Sequence, residues 1–441
     1  MITSVSMLSI IAYLVALIKL NKKYIEQQVV FAIIYLTGLT IIGEMDILLP
    51  IYFIVSLLPF FRYIRKIRVC TAIISVYFGL YVLYGIINQN INETFVTFIA
   101  KIWQFIIFFI VYDSDIKLKK EPIKRIIWLA VIVETLLGFY LLATSTNIDA
   151  NGLARLVSNS QPITGNISTI VLPISVYFYL KNRGNSKQTI WFFAVNIVML
   201  IWIILSGTRG YTLEFVATMM LIFYDYFTNG QVGEISRRNR LMIVILITIL
   251  TFVIVISVPI ILEKFESALR LKADVGIRTF ENAAVIEFIK NASVFTMLFG
   301  IGLGGKAGSY PEMRVALYEQ FSKGMWKPEH YLIDNGALFH NLYGNILLCL
   351  GIVGVFVFMC LIISIWKHIT YSCNGNSLLR KTMHLFLISF LLMNYYRWSA
   401  DCGISEMIIF ALVMKLIKQE NNIRSNDRNC MFSNSMEGVK W

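Results

Sequence analysis

The stretch FHNLYGNILLCLGIVGVF, residues 339–356, puts His340 and Asn341 at the head of a run almost free of polar side chains. A neutral imidazole takes a proton from an attacking hydroxyl near neutral pH more readily than most side chains do. Asn341 and Tyr343 beside it offer donors and acceptors to a hydroxyl-rich substrate. An interfacial anchor or a helix cap explains the same residues without chemistry. A second candidate is Arg209 in LSGTRGYTLEF, in a connection of few residues between two apolar runs. Its guanidinium is a fork of donors matched to phosphate oxygens, and it keeps its charge when partly desolvated. Gly207 and Gly210 allow close backbone approach, while Ser206 and Thr208 add donors or a cap. A side chain snorkelling to the membrane edge is the alternative. Arg155, in ANGLARLVSNSQPITGN, is either a solvated loop charge or a further anion contact. Arg278 opens RTFENAAVIEF, and a cation at a helix N-terminus opposes the macrodipole, which points to a partner.

The elements that must hold these residues follow from composition. The 441 residues are 57% hydrophobic and only 15% charged, with a mean hydropathy of +0.70. Thirteen apolar runs between 3–20 and 402–417 have the length of membrane crossings, among them 69–88, 92–112, 338–366, 382–397 and 402–417. The expected fold is therefore all-α, a polytopic membrane protein of about 12–14 helices. MITSVSMLSIIAYLVALIKL has no basic region before its apolar run and reads as a first crossing. Residues 1–262 form the first ten helices, 263–337 a large extracytoplasmic loop, 338–417 the last three helices and 418–441 a cytoplasmic tail. About two thirds of the 39 lysines and arginines fall on the inner side of this topology. The formal charge of +13 is thus a matter of orientation, and no nucleic-acid partner is expected.

The large loop is neutral, with nine Lys/Arg and nine Asp/Glu between 262 and 337, so arginines there act by position. It contains short amphipathic helices. Apolar residues at 280, 284, 285, 288 and 289 suit a helix lying on the membrane surface or against the bundle. LFGIGLGGKAGSY follows as a glycine-rich turn region. Lys101 and Glu134, in successive crossings, either pair with each other or line a polar groove. Glu214, Glu406 and His384 are open in the same way. The loop has no DxD pair, HExxH or Cys/His cluster and the chain no Walker loop, so no metal and no cofactor are expected. The six cysteines read as packing residues.

Taken in order, ARLVSNSQPITGN, SGTRG, IRTFENAAVIEFIKNASVFTMLFGIGLGG and HNLYGNILLCLGIVGVF resemble the O-antigen polymerase and O-antigen ligase (Wzy-type) superfamily of bacterial envelope glycan enzymes. The resemblance spans roughly residues 150–366. It implies metal-independent glycosyl transfer at the outer face of the bacterial cytoplasmic membrane, from a polyprenyl-pyrophosphate-linked oligosaccharide donor to a lipid-linked acceptor. Arg209 matches the arginine of the SxxRG motif, and His340 the histidine of the HN motif. Arg155 matches the loop arginine before a crossing, and Arg278 the arginine that opens the loop helix. His340 and Arg209 are then catalytic, and Arg155, Arg278, Asn341 and Tyr343 bind substrate. Membrane lipids, a chain-length regulator and a flippase are the candidate partners. The tryptophan common after the loop arginine is replaced here by FEN, which affects acceptor contacts. A ligase would share the motifs. A transporter would be expected to show duplicated halves and broken helices.

Overall fold

The computed structural model describes residues 69–88, 104–114, 273–305, 310–322, 342–374, 376–396 and 410–421, with isolated residues and short pieces between 91 and 198 and at 407. Among these the structure is mostly helical: α1 Val69–Asn88, α2 Gln104–Asp113, α3 Ala273–Asn291, α4 Val294–Phe299, α5 Pro311–Ser322, α6 Leu342–Ser372 and α7 Ser377–Tyr396. Residues 410–421 are also helical. The one departure from an all-helical expectation is a two-residue antiparallel pairing, β1 Val157–Ser158 with β2 Gln161–Pro162, inside the polar stretch 144–166.

The core is aromatic and aliphatic. In α2, QFIIFFIVYD has apolar side chains on every face, and Phe105 to Phe109, Val111 and Tyr112 are buried accordingly. Phe105 meets Phe358 of α6 and Phe390 of α7 edge-on, at 5.0 and 5.8 Å between centroids. Phe410 lies against Phe108 and Phe386 at 5.6 and 4.4 Å. Such ring pairs contribute about 0.5–1.5 kcal/mol each beyond area burial. Residues 410–417 are buried without interruption, so this helix is enclosed by the others.

Among the described residues, two helices carry exposed apolar stripes. On α1 the exposed residues Ile73, Val76, Leu80, Leu83 and Ile87 recur at helical spacing, opposite buried Phe78 and Tyr81. On α6 the exposed stripe is Ile352, Phe356, Met359 and Ile363, while Phe358, Leu361, Ile365 and Ile369 are buried. Leu342–Ser372 is, among the described residues, the one helix long and apolar enough to cross a membrane.

In α3 the residues expected to form an apolar face do so against protein. Ala284, Val285, Phe288 and Ile289 pack on Met313, Ala316, Leu317 and Phe321 of α5, and Leu348 of α6 and Ile301 join the same cluster. The Gln320 amide donates to the Glu287 carboxylate across this pair. α3 thus packs against α5 and α6.

Candidate functional site

Among the described residues, one junction joins the glycine-rich stretch after α4 to α6. Ser293 caps α4, its hydroxyl accepting from the Thr296 amide at 3.2 Å, and the helix ends after six residues at Gly300. Gly300 has φ 72° and ψ −169°, a conformation open essentially to glycine alone. In α6 the regular backbone breaks at Gly351, with φ 64° and ψ −165°. The expected crossing at 338–366 is therefore two helical pieces joined by a kink at Gly351. The two glycines meet: a Cβ on Gly351 would stand 2.5 Å from the Leu298 carbonyl and 2.6 Å from the Gly300 nitrogen.

A break in a helix strands carbonyls, and each one left unpaired in an apolar setting costs several kcal/mol. Three of the carbonyls just before the break are taken up by donors from outside the helix. The Ile301 amide donates to the Leu348 carbonyl at 2.9 Å, and the Gly302 amide to that of Cys349 at 3.0 Å. The Tyr81 hydroxyl of α1 donates to the Leu350 carbonyl at 3.2 Å. Thr94 then holds the Leu303 carbonyl at 3.1 Å, so the glycine-rich strand is fixed on both sides. Composition had marked this stretch only as a turn. The signal that was available is the paired GIG and LGI glycines, each set in an apolar run.

Arg278 lies within α3, but the helix starts at Ala273, five residues earlier than expected. The arginine is therefore the sixth residue, past the turn where the dipole acts, and its opposition to the macrodipole no longer argues for a partner. Tyr343 is in the first turn of α6, 37% exposed, and its hydroxyl donates to the Leu391 carbonyl of α7 at 3.0 Å. In this arrangement it ties α6 to α7. His340, Asn341, Arg209 and Arg155 lie outside the described residues, as do Lys101, Glu134, Glu214 and Glu406. The sequence places His340 and Asn341 immediately before Leu342, the first residue of α6. Two of the four motifs, the long loop motif and the HN motif, thus meet at the Gly300–Gly351 junction.

A second polar cluster, which the sequence reading missed, lies at the opposite end of α6. Lys415, only 4% exposed, donates to the Ser114 hydroxyl at 3.0 Å and the Tyr112 carbonyl at 3.4 Å. The Tyr112 and Ser372 hydroxyls are 2.7 Å apart, and the Asn421 amide holds the Ser372 carbonyl at 2.6 Å. Among the described residues no three His, Cys, Asp or Glu side chains stand close enough to hold a metal ion. Cys349, Cys360 and Cys373 are free thiols. Burial pushes the Cys373 thiol up to about 12, against a smaller opposing effect of the Arg380 guanidinium. Thiolate is the reactive form, so a maleimide at pH 8 should leave Cys373 unmodified until the protein is denatured. Mass spectrometry of the labelled peptides checks this; rapid native labelling would contradict the packing role.

No family model and no curated protein matches the chain.

Proposed function

We propose that the chain is a multi-pass membrane glycosyltransferase of the Wzy-type polymerase kind. In this reading it joins polyprenyl-pyrophosphate-linked repeat units into O-antigen, capsule or exopolysaccharide at the outer face of the bacterial cytoplasmic membrane. The observation that carries the reading is the junction of the long loop motif with the helix opened by HNLYGN, through the Ile301 and Gly302 amides on the Leu348 and Cys349 carbonyls. Two motifs far apart in a loose sequence pattern are built into one body, as residues serving one reaction must be. The exposed stripes on α1 and α6 support the membrane part of the reading. Apolar faces of that extent are a liability in water and a requirement in lipid.

The chemistry assigned to the site is a displacement at the anomeric carbon. The acceptor hydroxyl oxygen forms the new C–O bond as the bond to the lipid pyrophosphate breaks. His340 takes the hydroxyl proton, and Arg209, with Arg155 and Arg278, stabilises the charge growing on the departing phosphate oxygen. Attack opposite the leaving group inverts the anomeric centre. The loop excludes water that would otherwise hydrolyse the donor.

Transport is the reading that the break in α6 would favour, because broken helices near mid-membrane present backbone to cargo. From Leu342 to Gly351 the helix rises nine steps, about 14 Å, roughly half of a hydrocarbon core of about 30 Å. The freed carbonyls of Leu348, Cys349 and Leu350 are, however, occupied by protein donors, which favours a structural joint over a cargo site. The deciding experiment removes the protein and analyses the lipid-linked glycans that accumulate. Single repeat units at the outer face are expected. Long unattached chains would instead make it a ligase, and units trapped on the inner face a flippase.

A further inference from the structure

The groove between α6 and α7, near the turn that connects them, carries side chains in an order that matches an amphiphile. At its centre Trp366 and His384 stack, with centroids 3.8 Å apart and planes 8° from parallel. Nε2 of His384 lies 3.2 Å from the Thr370 hydroxyl and 3.4 Å from the Trp366 carbonyl, which fixes the imidazole against α6. One turn away from the connection, Ile363 and Ile388 are 48% and 42% exposed. One turn toward it, the helices bring Thr370 from α6 and Arg380 and Lys381 from α7, with Lys367 beside the tryptophan. Lys367 and Lys381 are exposed and Arg380 is half-buried. Tyr371, 70% exposed, stands at the same level. No Asp or Glu occurs between residues 335 and 400, so this hairpin is purely cationic.

We propose that this groove binds an anionic phospholipid, its acyl chain along Ile363 and Ile388, its ester region against the Trp366–His384 stack and its phosphate among Lys367, Arg380 and Lys381. The apolar-to-cationic sequence extends over about eight residues of helix, roughly 12 Å, the interval between acyl chain and phosphate level. Indole and phenol rings at that boundary are the usual residents of the membrane interface. A free phosphate or an acidic peptide accounts for the cations but leaves the exposed isoleucines and the tryptophan without a role. The inference rests on the reading of the hairpin as membrane-embedded and is independent of the glycan chemistry.

The test uses the full-length protein in a neutral maltoside detergent. Native mass spectrometry and thermal shift are recorded with phosphatidylglycerol, with phosphatidylcholine of the same chains, and with inorganic phosphate. Phosphatidylglycerol should be retained and should raise the melting temperature, and the other two should not. Each cation near a headgroup contributes about fivefold in affinity, so the Lys367→Gln, Arg380→Gln, Lys381→Gln triple variant should bind roughly 100-fold more weakly. Lys381→Gln alone, at an exposed position that cannot compromise folding, should lose about fivefold. Equal binding of the two lipids, an equal shift with phosphate, or unchanged affinity in both variants overturns the proposal. Detergent phase separation distinguishes the failures. A chain that partitions into the aqueous phase overturns the membrane reading and this proposal together. One that enters the detergent phase without preferring the anionic lipid overturns only the latter.

Discussion

Gly351→Ala should lower the stability of the protein by about 3–9 kcal/mol, the largest structural effect expected of any single methyl group described here. Two terms combine. The backbone at φ 64° and ψ −165° is one that residues with a Cβ essentially do not adopt, at about 1–3 kcal/mol. The added carbon would also meet the Leu298 carbonyl at 2.5 Å and the Gly300 nitrogen at 2.6 Å, and neither is the end of a flexible side chain. Relief requires the strand 300–302 to move off α6, which strands the Leu348 and Cys349 carbonyls at about 1–3 kcal/mol each. Gly79→Ala is the control. Its Cβ would meet nothing within 4 Å, and a helical Gly-to-Ala change is worth up to about 1 kcal/mol in the stabilising direction. Thermal unfolding of the detergent-solubilised variants reads both. If Gly351→Ala melts with the parent, the junction is not what holds the loop to the helix.

His340→Ala and Arg209→Ala should each suppress chain elongation while the protein remains inserted, and this is the largest functional effect expected. Loss of a general base costs about 10²–10⁴ in rate, and loss of one donor to a developing anion about 10²–10³. Arg209→Lys should recover little, because an ammonium cannot make the two parallel bonds of a guanidinium. His330→Ala, at the other outer histidine of the expected topology, should stay close to the parent. The measurement is the length distribution of polymer in cells carrying each variant, normalised to the amount of protein in the membrane. Full-length polymer at normal yield in either variant removes that residue from the reaction, and with it the reading under which it was assigned.

The sequence made the helices legible where apolar length alone decides. Val69–Asn88 coincides with the run marked from hydropathy, and Leu342–Ser372 and Ser377–Tyr396 overlap theirs within several residues. The buried face of α3 was legible too, since 280, 284, 285, 288 and 289 carry the 3.6-residue period that a one-sided helix needs. Its start was not: Ala273 to Ile277 has no apolar period of its own and is helical by continuity. The break at Gly351 escaped because hydropathy is blind to φ, and a glycine in an apolar run reads as a small residue in an unbroken helix. What gives Gly351 its meaning is Gly300, 51 positions away, and no local pattern couples the two. Lys415 escaped for a related reason. At the edge of an apolar run it looks like an inner-face anchor, and only Tyr112 and Ser114 make it an interior group. Of the stretches that carry candidate chemistry, 277–305 and 340–356 are joined in space at Gly300 and Gly351.

Residues 410–417 are walled in on all sides, yet Lys415 and the Ser114 it binds are 301 positions apart. Synthesis therefore completes α2 hundreds of codons before the segment that fills the space beside Phe108 and Tyr112. Making α2 and enclosing it are separate events in the life of this molecule. In the interval the aromatic side chains of α2 lack the partner that later covers them, and apolar surface left open in this way is what chaperones and quality-control proteases recognise.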